Sequence, residues 1–226
     1  MKAWIAIPAY TGTIHLATMR SLENDLFELA RRGDYGVVHD ECGNALIADA
    51  RALIVSQFLA SDADQLVFVD SDVTWEAGAL LKLLDYPVDF VAGIYPQRRD
   101  PINYCVAWDQ SKEHLIADEN TGLLEVHGVP AGFMKVSRAM LEKMVEQYKH
   151  LDFFCEPAPD NTACALFSDY WFEENGKRYK LGEDYAFCKR WRDIGGKVWI
   201  DPEIKMGHIG YKTFQGHLGN YLRGRA

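Results

Sequence analysis

Two aspartates separated by a single residue, in the triplet Asp70-Ser71-Asp72, form the sharpest candidate for a chemical site in the sequence. The residues before them, 65–69, are apolar without alternation, which is typical of a strand buried on both faces of a parallel sheet. Ligands of open α/β sheets bind at the carboxyl ends of the strands. The two carboxylates therefore predict a hard divalent cation held by oxygen ligands, with open positions for phosphate oxygens. The simpler interpretation is that they only cap the turn.

Two segments late in the chain carry further candidate groups. Glu183 and Asp184 begin a predicted helix, where the helix dipole favours acidic side chains, and either could also act as a general base towards an acceptor hydroxyl. His208 lies between glycines, which let the backbone approach a ligand closely, and it is a candidate metal ligand. Lys212 follows it and could contact a phosphate.

Alternating strands and helices are predicted to position these groups in the first half of the chain. The predicted strands are 3–7, 37–39, 65–70 and 89–93, and the predicted helices are 15–32, 44–59 and 75–84, the last capped by Thr74. This alternation predicts an α/β domain with a parallel sheet. In the less regular second half, the predicted strands are 123–126, 132–136 and 197–200, the helices are 137–148 and 183–194, and a Gly-rich, aromatic tail follows from 206.

Length and composition restrict the class of protein. The 226 residues fit one large domain, and 48% hydrophobic with 25% charged residues is ordinary for a globular chain. The net charge of -9 and the lack of long basic runs argue against nucleic acid as the main partner. We expect no transmembrane segment, because no apolar stretch reaches about 18 residues. We also expect no signal peptide, because Pro8 soon breaks the short apolar N-terminus, and therefore a cytoplasmic location. The five cysteines form no C-x-x-C pair, which predicts free thiols.

A series of short motifs resembles the GT-A glycosyltransferases, and most closely the family-2-like bacterial and phage members. The matching segments are 6–10 (AIPAY), 48–51 (ADAR), 68–72 (FVDSD), 91–96 (VAGIYP), 132–134 (GFM), 183–184 (ED), 191–196 (WRDIGG) and 207–210 (GHIG). Together with their flanks they span residues 3–212, nearly the whole chain. The D-x-D triplet alone is a weak signal, but the ordered series is fairly specific for fold and class.

The resemblance implies one GT-A-type α/β domain over residues 1–226. Its central sheet would be Rossmann-like and mostly parallel, flanked by helices, with a smaller mixed region on the acceptor side. Residues 1–100 would form the half that binds the nucleotide sugar. Residues 101–226 would form the acceptor-side half, which carries a late loop for metal and phosphate.

The resemblance also implies roles for individual residues. Asp72 and His208, with Asp70, would hold Mn²⁺ or Mg²⁺ that bridges the diphosphate. Asp184, or else Glu183, would be the catalytic base of an inverting transfer, and residues 160–171 would lie on the acceptor side. The implied donor-binding residues are Pro8, Ala9, Tyr10, Thr11, Asp49, Arg51, Asp70, Ser71, Gly132 and Lys212.

The implied activity is the transfer of one sugar from a nucleotide diphosphate sugar, with UDP expected before GDP. The acceptor would be a hydroxyl of a saccharide, a lipid-linked acceptor or a small molecule. Two features depart from the family pattern: the acidic residue after the second strand has two candidates, Asp40 and Glu41, and the Q-x-x-R-W signature of processive members is absent. A polymer synthase is therefore disfavoured. The late His-x-Gly-x-Lys also resembles retaining members, so inversion is favoured while retention stays open.

Two other classes of protein compete with this interpretation. Residues 66–74 fit the D-x-D-x-T motif of haloacid dehalogenase-like phosphatases, in which Asp70 would attack phosphorus and Asp72 would be the acid/base. That motif normally opens its domain, whereas a strand–helix–strand–helix stretch precedes it here. A non-catalytic nucleotide-sugar-binding module would need neither the triplet nor Asp184, and both are present.

Overall fold

The computed structural model describes residues 1–109, 111 and 114–224. In chain order the strands are β1 (Lys2–Ala9), β2 (Tyr35–Cys42), β3 (Gln65–Val69), β4 (Val73–Trp75), β5 (Phe90–Gly93), β6 (Leu124–Val126), β7 (Phe133–Ser137), β8 (Asp152–Phe154), β9 (Thr162–Cys164), β10 (Tyr170–Glu174), β11 (Lys177–Leu181), β12 (Val198–Asp201), β13 (Lys205–Ile209) and β14 (Thr213–His217). The α-helices are α1 (Leu16–Arg31), α2 (Ile47–Ala60), α3 (Ala79–Asp85), α4 (Arg138–Gln147), α5 (Glu183–Asp193) and α6 (Leu218–Arg223).

Seven strands form the central sheet, in the spatial order β2-β1-β3-β7-β5-β12-β6. Strand β1 is parallel to β2 and β3, and β5 is parallel to β12. Strand β7 is antiparallel to both β3 and β5, and β6 is antiparallel to β12. Strands β1, β2, β3, β5 and β12 therefore share one direction, and β6 and β7 take the other. The predicted α/β class with a mostly parallel central sheet is confirmed.

Both faces of this sheet are buried beneath helices. Successive residues of β3 alternate between two apolar clusters: Leu66 and Phe68 pack with α2, α4 and α5, whereas Val67 and Val69 pack with α1 and α3. Successive side chains of a strand point to opposite faces. A strand between two helical layers must therefore be apolar throughout, which explains why β3 shows no polar alternation.

Two predictions for local structure are wrong in detail. Residues Val73–Trp75 form strand β4, so Thr74 is a strand residue and not the N-cap of a helix over 75–84. The predicted tail from residue 206 instead forms β13, β14 and α6, while residues 225–226 lie outside the described residues. Strands β4, β13 and β14 make a second sheet, in the order β14-β13-β4. A local pattern cannot reveal pairing between segments so distant in the chain.

Helix α3 begins after this strand and takes its cap from another helix. The buried carboxylate of Asp25, in α1, accepts hydrogen bonds from the backbone N–H groups of Gly78 at 2.6 Å and Leu80 at 2.9 Å. These are among the amides that the first turn of a helix leaves without intrahelical partners. Asp25 thereby fixes the start of α3, and with it the segment that leads away from the triplet.

The cysteines and the lengths of the helices are two further features of the described residues. All five cysteines are free thiols, and Cys164 and Cys188 are buried. Within the described ranges, no helix combines the length and the apolar character needed to cross a bilayer.

Candidate active site

The triplet and the late histidine come together because β4 pairs with β13. Asp72 immediately precedes β4, and His208 of β13 lies opposite Val73 in the pairing. The backbone N–H of Ile209 donates to the carbonyl oxygen of Asp72 at 2.8 Å, which extends the ladder to the triplet. The side chains follow: Nε2 of His208 lies 3.6 Å from Oδ1 of Asp72.

The hydrogen bond of Nδ1 determines whether Nε2 of His208 can bind a metal. Nδ1 lies 3.0 Å from the carbonyl oxygen of Pro96, which can only accept, so Nδ1 carries the proton and Nε2 presents its lone pair. Burial lowers the pKa of His208; the hydrogen bond to Pro96 opposes this, and the charge of Arg98 lowers the pKa further. A neutral imidazole oriented by a backbone carbonyl is the arrangement found in metal-binding histidines.

The carboxylate of Asp72 and the imidazole of His208 are chemically suitable ligands for the predicted divalent cation. One carboxylate oxygen and one imidazole nitrogen favour Mn²⁺ over Mg²⁺, because Mg²⁺ strongly prefers oxygen ligands in a strict octahedron. Among the residues that the structure describes, no three His, Cys, Asp or Glu side chains gather closely enough to form a complete metal site. The remaining ligands would be substrate or water oxygens, as is usual for ions bound with phosphates.

Arg98, which no sequence motif singled out, contacts both candidate metal ligands. Its Nε donates to Nε2 of His208 at 2.9 Å, and a terminal nitrogen of its guanidinium forms an ion pair with Oδ2 of Asp72. The side chain nevertheless remains 46% exposed. A weak signal exists in the dibasic Arg98-Arg99 of an otherwise acidic chain, but such pairs are usually solvated surface charges.

Asp70 bonds with a different set of side chains. Its Oδ1 accepts from Nη2 of Arg51 at 3.3 Å, and its Oδ2 accepts from the hydroxyl of Tyr95 at 3.3 Å. Its backbone N–H donates to the carbonyl of Gly132 at 2.9 Å. A Cβ at position 132 would overlap Oδ2 of Asp70 and lie 2.5 Å from the Tyr95 hydroxyl. Gly132 is thus required for the placement of Asp70, and the structure groups Asp70 with Arg51 and Tyr95.

Arg51, in α2, links Asp70 to the late acidic pair. Its Nη1 donates to Oδ1 of Asp184 at 2.6 Å and lies 3.5 Å from Oε1 of Glu183. The side chain is only 3% exposed, and a buried guanidinium needs anionic partners to offset its loss of hydration. Burial leaves little of Arg51 for direct contact with the predicted donor, so its position suits the orientation of the three carboxylates.

Asp184 is the acid whose chemistry this cluster changes most. Burial raises its pKa to about 6; Arg51 opposes the rise, while the charges of Glu183 and Asp70 add to it. A carboxylate whose pKa lies near neutrality is well suited to take a proton from a hydroxyl at physiological pH. Glu183 lies beside it in the first turn of α5 and is more exposed.

Comparison with known proteins bears on the fold. No protein-family model and no curated protein sequence matches the chain. The crystal structure of A197 from STIV aligns with a TM-score of 0.54 over 93% of this chain and 86% of that chain, at 19% identity. A crystal structure of GalNAc-T7 with UDP, GalNAc and Mn2+ aligns with a TM-score of 0.51 over 92% of this chain and 44% of that chain, at 10% identity. The chain has a GT-A-like fold.

The GT-A-like fold confirms the predicted fold class. The region that aligns with GalNAc-T7 covers nearly all of this chain but less than half of the GalNAc-T7 chain.

Within the GT-A-like fold, the predicted nucleotide-contacting turn follows β1 and lies beside the triplet. Pro8 and Ala9 are the buried last residues of β1, whereas Tyr10 and Thr11 are exposed. The carbonyl of Ser71 accepts a hydrogen bond, 2.9 Å long, from the backbone N–H of the residue that precedes α1. The turn after β1 and the triplet are thereby tied together.

Asp49 and Lys212 lie at two further places. Asp49 is half-buried in the first turn of α2, two residues before Arg51. Lys212 lies in the turn between β13 and β14, where its Nζ pairs with Oδ2 of Asp100 at 2.5 Å and lies 4.9 Å from the centre of the Phe214 ring. A phosphate would have to compete with Asp100 for this lysine.

The predicted acceptor side, residues 160–171, packs beside α2 and ends on an exposed hairpin. Ala163 of β9 packs with Ala52 and Leu53 of α2. Trp171, on β10, is 53% exposed, and the guanidinium carbon of Arg178 on β11 lies 4.7 Å from the centre of its ring. An exposed indole with a polar edge suits contact with a binding partner.

Proposed function

We propose that the chain is a metal-dependent glycosyltransferase that moves one sugar from a nucleotide diphosphate sugar to an acceptor hydroxyl. The observation that carries the proposal is a single constellation. A carboxylate–imidazole pair, Asp72 and His208, and a carboxylate with a pKa of about 6, Asp184, adjoin a cluster built around Arg51. A site for a diphosphate-bound cation beside a base for a hydroxyl is what such a transfer needs.

The donor would bind across the triplet edge of the sheet. Asp72 and His208 would hold Mn²⁺ or Mg²⁺, with Asp70 beside them, and the bound ion would neutralise charge on the departing diphosphate. The crystal structure of GalNAc-T7 contains UDP and Mn2+, which supports UDP as the expected nucleotide here. The proposed contacts to the nucleotide and its phosphates are Pro8, Ala9, Tyr10, Thr11, Asp49, Ser71 and Lys212.

Asp184 would take the proton from the acceptor hydroxyl as that oxygen bonds to the anomeric carbon. The bond from this carbon to the nucleotide diphosphate would break on the opposite face, and this single displacement inverts the carbon. A pKa of about 6 makes this carboxylate a stronger base than an ordinary aspartate and still leaves most of it ionised at pH 7. Arg51 holds one carboxylate oxygen through the 2.6 Å hydrogen bond, and the backbone of Ala131 also hydrogen-bonds to this carboxylate, so its orientation is fixed. Glu183 is the second candidate for the base because it lies beside Asp184 and is more exposed.

The two proposed halves of the chain both supply the site. Residues 1–100 contribute the triplet and Arg51, and residues 101–226 contribute Gly132, the acidic pair and His208. The acceptor, a saccharide, a lipid-linked acceptor or a small molecule, would approach from residues 160–171, where Trp171 is exposed.

Calorimetric titration with UDP and with GDP, each with and without Mn²⁺, tests the proposal. We expect metal-dependent binding of one nucleotide that is lost in Asp72→Ala, because that variant removes the carboxylate of the proposed pair. Asp62→Ala is the matched control: Asp62 is an exposed aspartate paired with Lys2 on the surface, where such pairs contribute little.

Absence of nucleotide binding under all of these conditions would contradict a nucleotide-sugar donor. Phosphatase assays would then follow, with Asp70→Asn as the test of a nucleophilic aspartate. The hydrogen bonds from Arg51 and Tyr95 to both carboxylate oxygens of Asp70 argue against that second activity, because they hold the oxygens that would attack phosphorus.

A further inference from the structure

The guanidinium of Arg98 bridges the two proposed metal ligands. Its Nε donates to the lone pair of His208 Nε2 at 2.9 Å, and its terminal nitrogen pairs with Oδ2 of Asp72. The two atoms that Arg98 engages belong to the same carboxylate and imidazole that lie 3.6 Å apart. A cation bound by both groups would need the lone pair to which Nε now donates.

This contact offsets the electrostatic cost of a partly buried carboxylate at Asp72. Asp72 and the neutral imidazole both present electron pairs, and a planar guanidinium fork satisfies two acceptors at once. Nδ1 of His208 is committed to the carbonyl of Pro96, so Nε2 keeps its lone pair whether a guanidinium or a metal faces it. The ligand pair is therefore already ordered in its binding orientation.

Arg98 is also able to leave. Its side chain is 46% exposed, in contrast to Arg51, which is buried at 3%. Charge-assisted hydrogen bonds to a diphosphate would replace the bond to Asp72 with one of the same kind. Release into water alone offers a poorer exchange, since the guanidinium then loses its ordered anionic partner.

We propose that Arg98 acts as a stand-in cation that holds Asp72 and His208 together until a metal binds, and then passes to the nucleotide diphosphate. Metal alone must displace Arg98 into solvent, whereas metal with nucleotide gives Arg98 a new anionic partner. The two ligands should therefore bind with positive coupling, and the coupling is reciprocal. This inference rests on the proposed function, because it takes the Asp72–His208 pair as a metal site.

Binding of Mn²⁺, followed by the electron paramagnetic resonance of the free ion, tests the idea without an activity assay. In the absence of nucleotide, Arg98→Ala should bind Mn²⁺ more tightly than the wild type, by about tenfold, within the usual range of coupling between sites. Arg99→Ala is the matched control, since it removes the neighbouring exposed arginine and should leave Mn²⁺ affinity unchanged. Arg98→Lys, which keeps the charge but loses the fork, should lie between the two.

Adding UDP gives the second measurement. UDP should increase Mn²⁺ affinity strongly in the wild type and by clearly less in Arg98→Ala, because that variant loses both the competitor and the phosphate contact. Circular dichroism of each variant confirms that it is folded.

Equal or weaker Mn²⁺ binding by Arg98→Ala in the absence of UDP would overturn the inference. UDP binding that needs no metal and is lost in Arg98→Ala would also overturn it, since Arg98 would then replace the ion permanently. The proposed function fails separately, when neither the wild type nor any of these variants binds Mn²⁺ or UDP. Retained UDP–Mn²⁺ binding that depends on Asp72, without a gain in Arg98→Ala, removes only the role of Arg98.

Discussion

Arg51 contacts three carboxylates that are distant in the sequence, those of Asp70, Glu183 and Asp184. Its burial means that the guanidinium and the acids depend on each other, since removing one partner of a buried ion pair leaves the other uncompensated. The resemblance of residues 48–51 to the family implies a place for Arg51 beside the donor, which stays a prediction. The structure surrounds Arg51 with acids, and no local pattern encodes which carboxylates a buried arginine meets.

The raised pKa of Asp184 makes folding stability depend on pH. Because burial raises this pKa from 3.8 to about 6, the folded state holds the proton more tightly. The associated stability is present in full below pH 3.8 and is lost as pH rises through about 6. The side chain introduced by Asp184→Asn does not titrate, so the difference in free energy of unfolding between this variant and the wild type should move in favour of the variant by about 2–3 kcal/mol as pH rises from 4 to 7.5. On the proposed function, this variant also loses transferase activity. Urea unfolding at several pH values measures the difference.

The control for this measurement is Asp62→Asn. A hydrogen bond from Lys2 lowers the pKa of Asp62, so any pH dependence that the control shows should have the opposite sign. A constant difference between Asp184→Asn and the wild type across the pH range would mean that Asp184 titrates as an ordinary exposed acid. The assignment of Asp184 as the base would then lose its electrostatic support.

Strand β13 brings His208 to Asp72, and this pairing tolerates little bulk. Gly207 lies opposite Thr74 in the ladder, and a Cβ at position 207 would lie 2.5 Å from Oγ1 of Thr74. Gly207→Ala should therefore push β4 and β13 apart, destabilise the fold by about 1–3 kcal/mol and weaken Mn²⁺ binding, since His208 is the next residue. Chemical denaturation and Mn²⁺ titration provide the measurements.

Two variants sharpen this test. Gly182→Ala should cost less than Gly207→Ala, because nothing lies within 4 Å of a Cβ there and only the preference of the N-cap of α5 for glycine over alanine is lost. Adding Thr74→Ala to Gly207→Ala removes the atom that the new methyl meets, and should restore part of the loss as a favourable coupling in a double-mutant cycle. A loss that Thr74→Ala does not relieve would place the origin of the effect elsewhere.

The elements that the sequence predicts well are those with a local signature. Helix α1 and helix α5 differ from their predicted bounds by about one residue, because apolar spacing and flanking glycines are local features. Strand β3 was recognisable from its continuous apolar run. Strand β4 was not, because its three residues become a strand only by pairing with β13. The antiparallel insertion of β7 between β3 and β5 is likewise a property of the topology.

The candidate site likewise contains residues that the sequence predicts and residues that it does not. Asp72, His208 and Asp184 could be predicted because acidic residues at a strand end or a helix start, and a histidine between glycines, are chemical signals in themselves. Arg98 could not, since its contacts arise from the path of the chain after β5 and not from its neighbours in sequence. Tyr95 could not be predicted either, because its hydroxyl contacts Asp70 only in the folded chain.

Ligands that bridge both proposed halves of the molecule should stabilise the whole of it. In saturating Mn²⁺, UDP at about 100 times its dissociation constant adds about 2.7 kcal/mol to the free energy of unfolding. For a chain of this size, that corresponds to a rise in Tm of roughly 5–10 °C with UDP and Mn²⁺ together. Differential scanning calorimetry should show the rise in the wild type, and its loss with EDTA and in Asp72→Ala. Equal rises with UDP in the presence and absence of EDTA would contradict metal-dependent binding.

The position of β7 between β3 and β5 has a consequence for the synthesis of the protein. A ribosome completes β3 and β5 well before it reaches β7, and it completes Asp72 long before β13 supplies His208. The emerging chain must therefore carry bare strand edges, which favour association with other chains, until its second half arrives. Translation pauses early in the message would prolong that exposure. On the proposed function, a nascent chain should transfer no sugar until its last strands have left the exit tunnel.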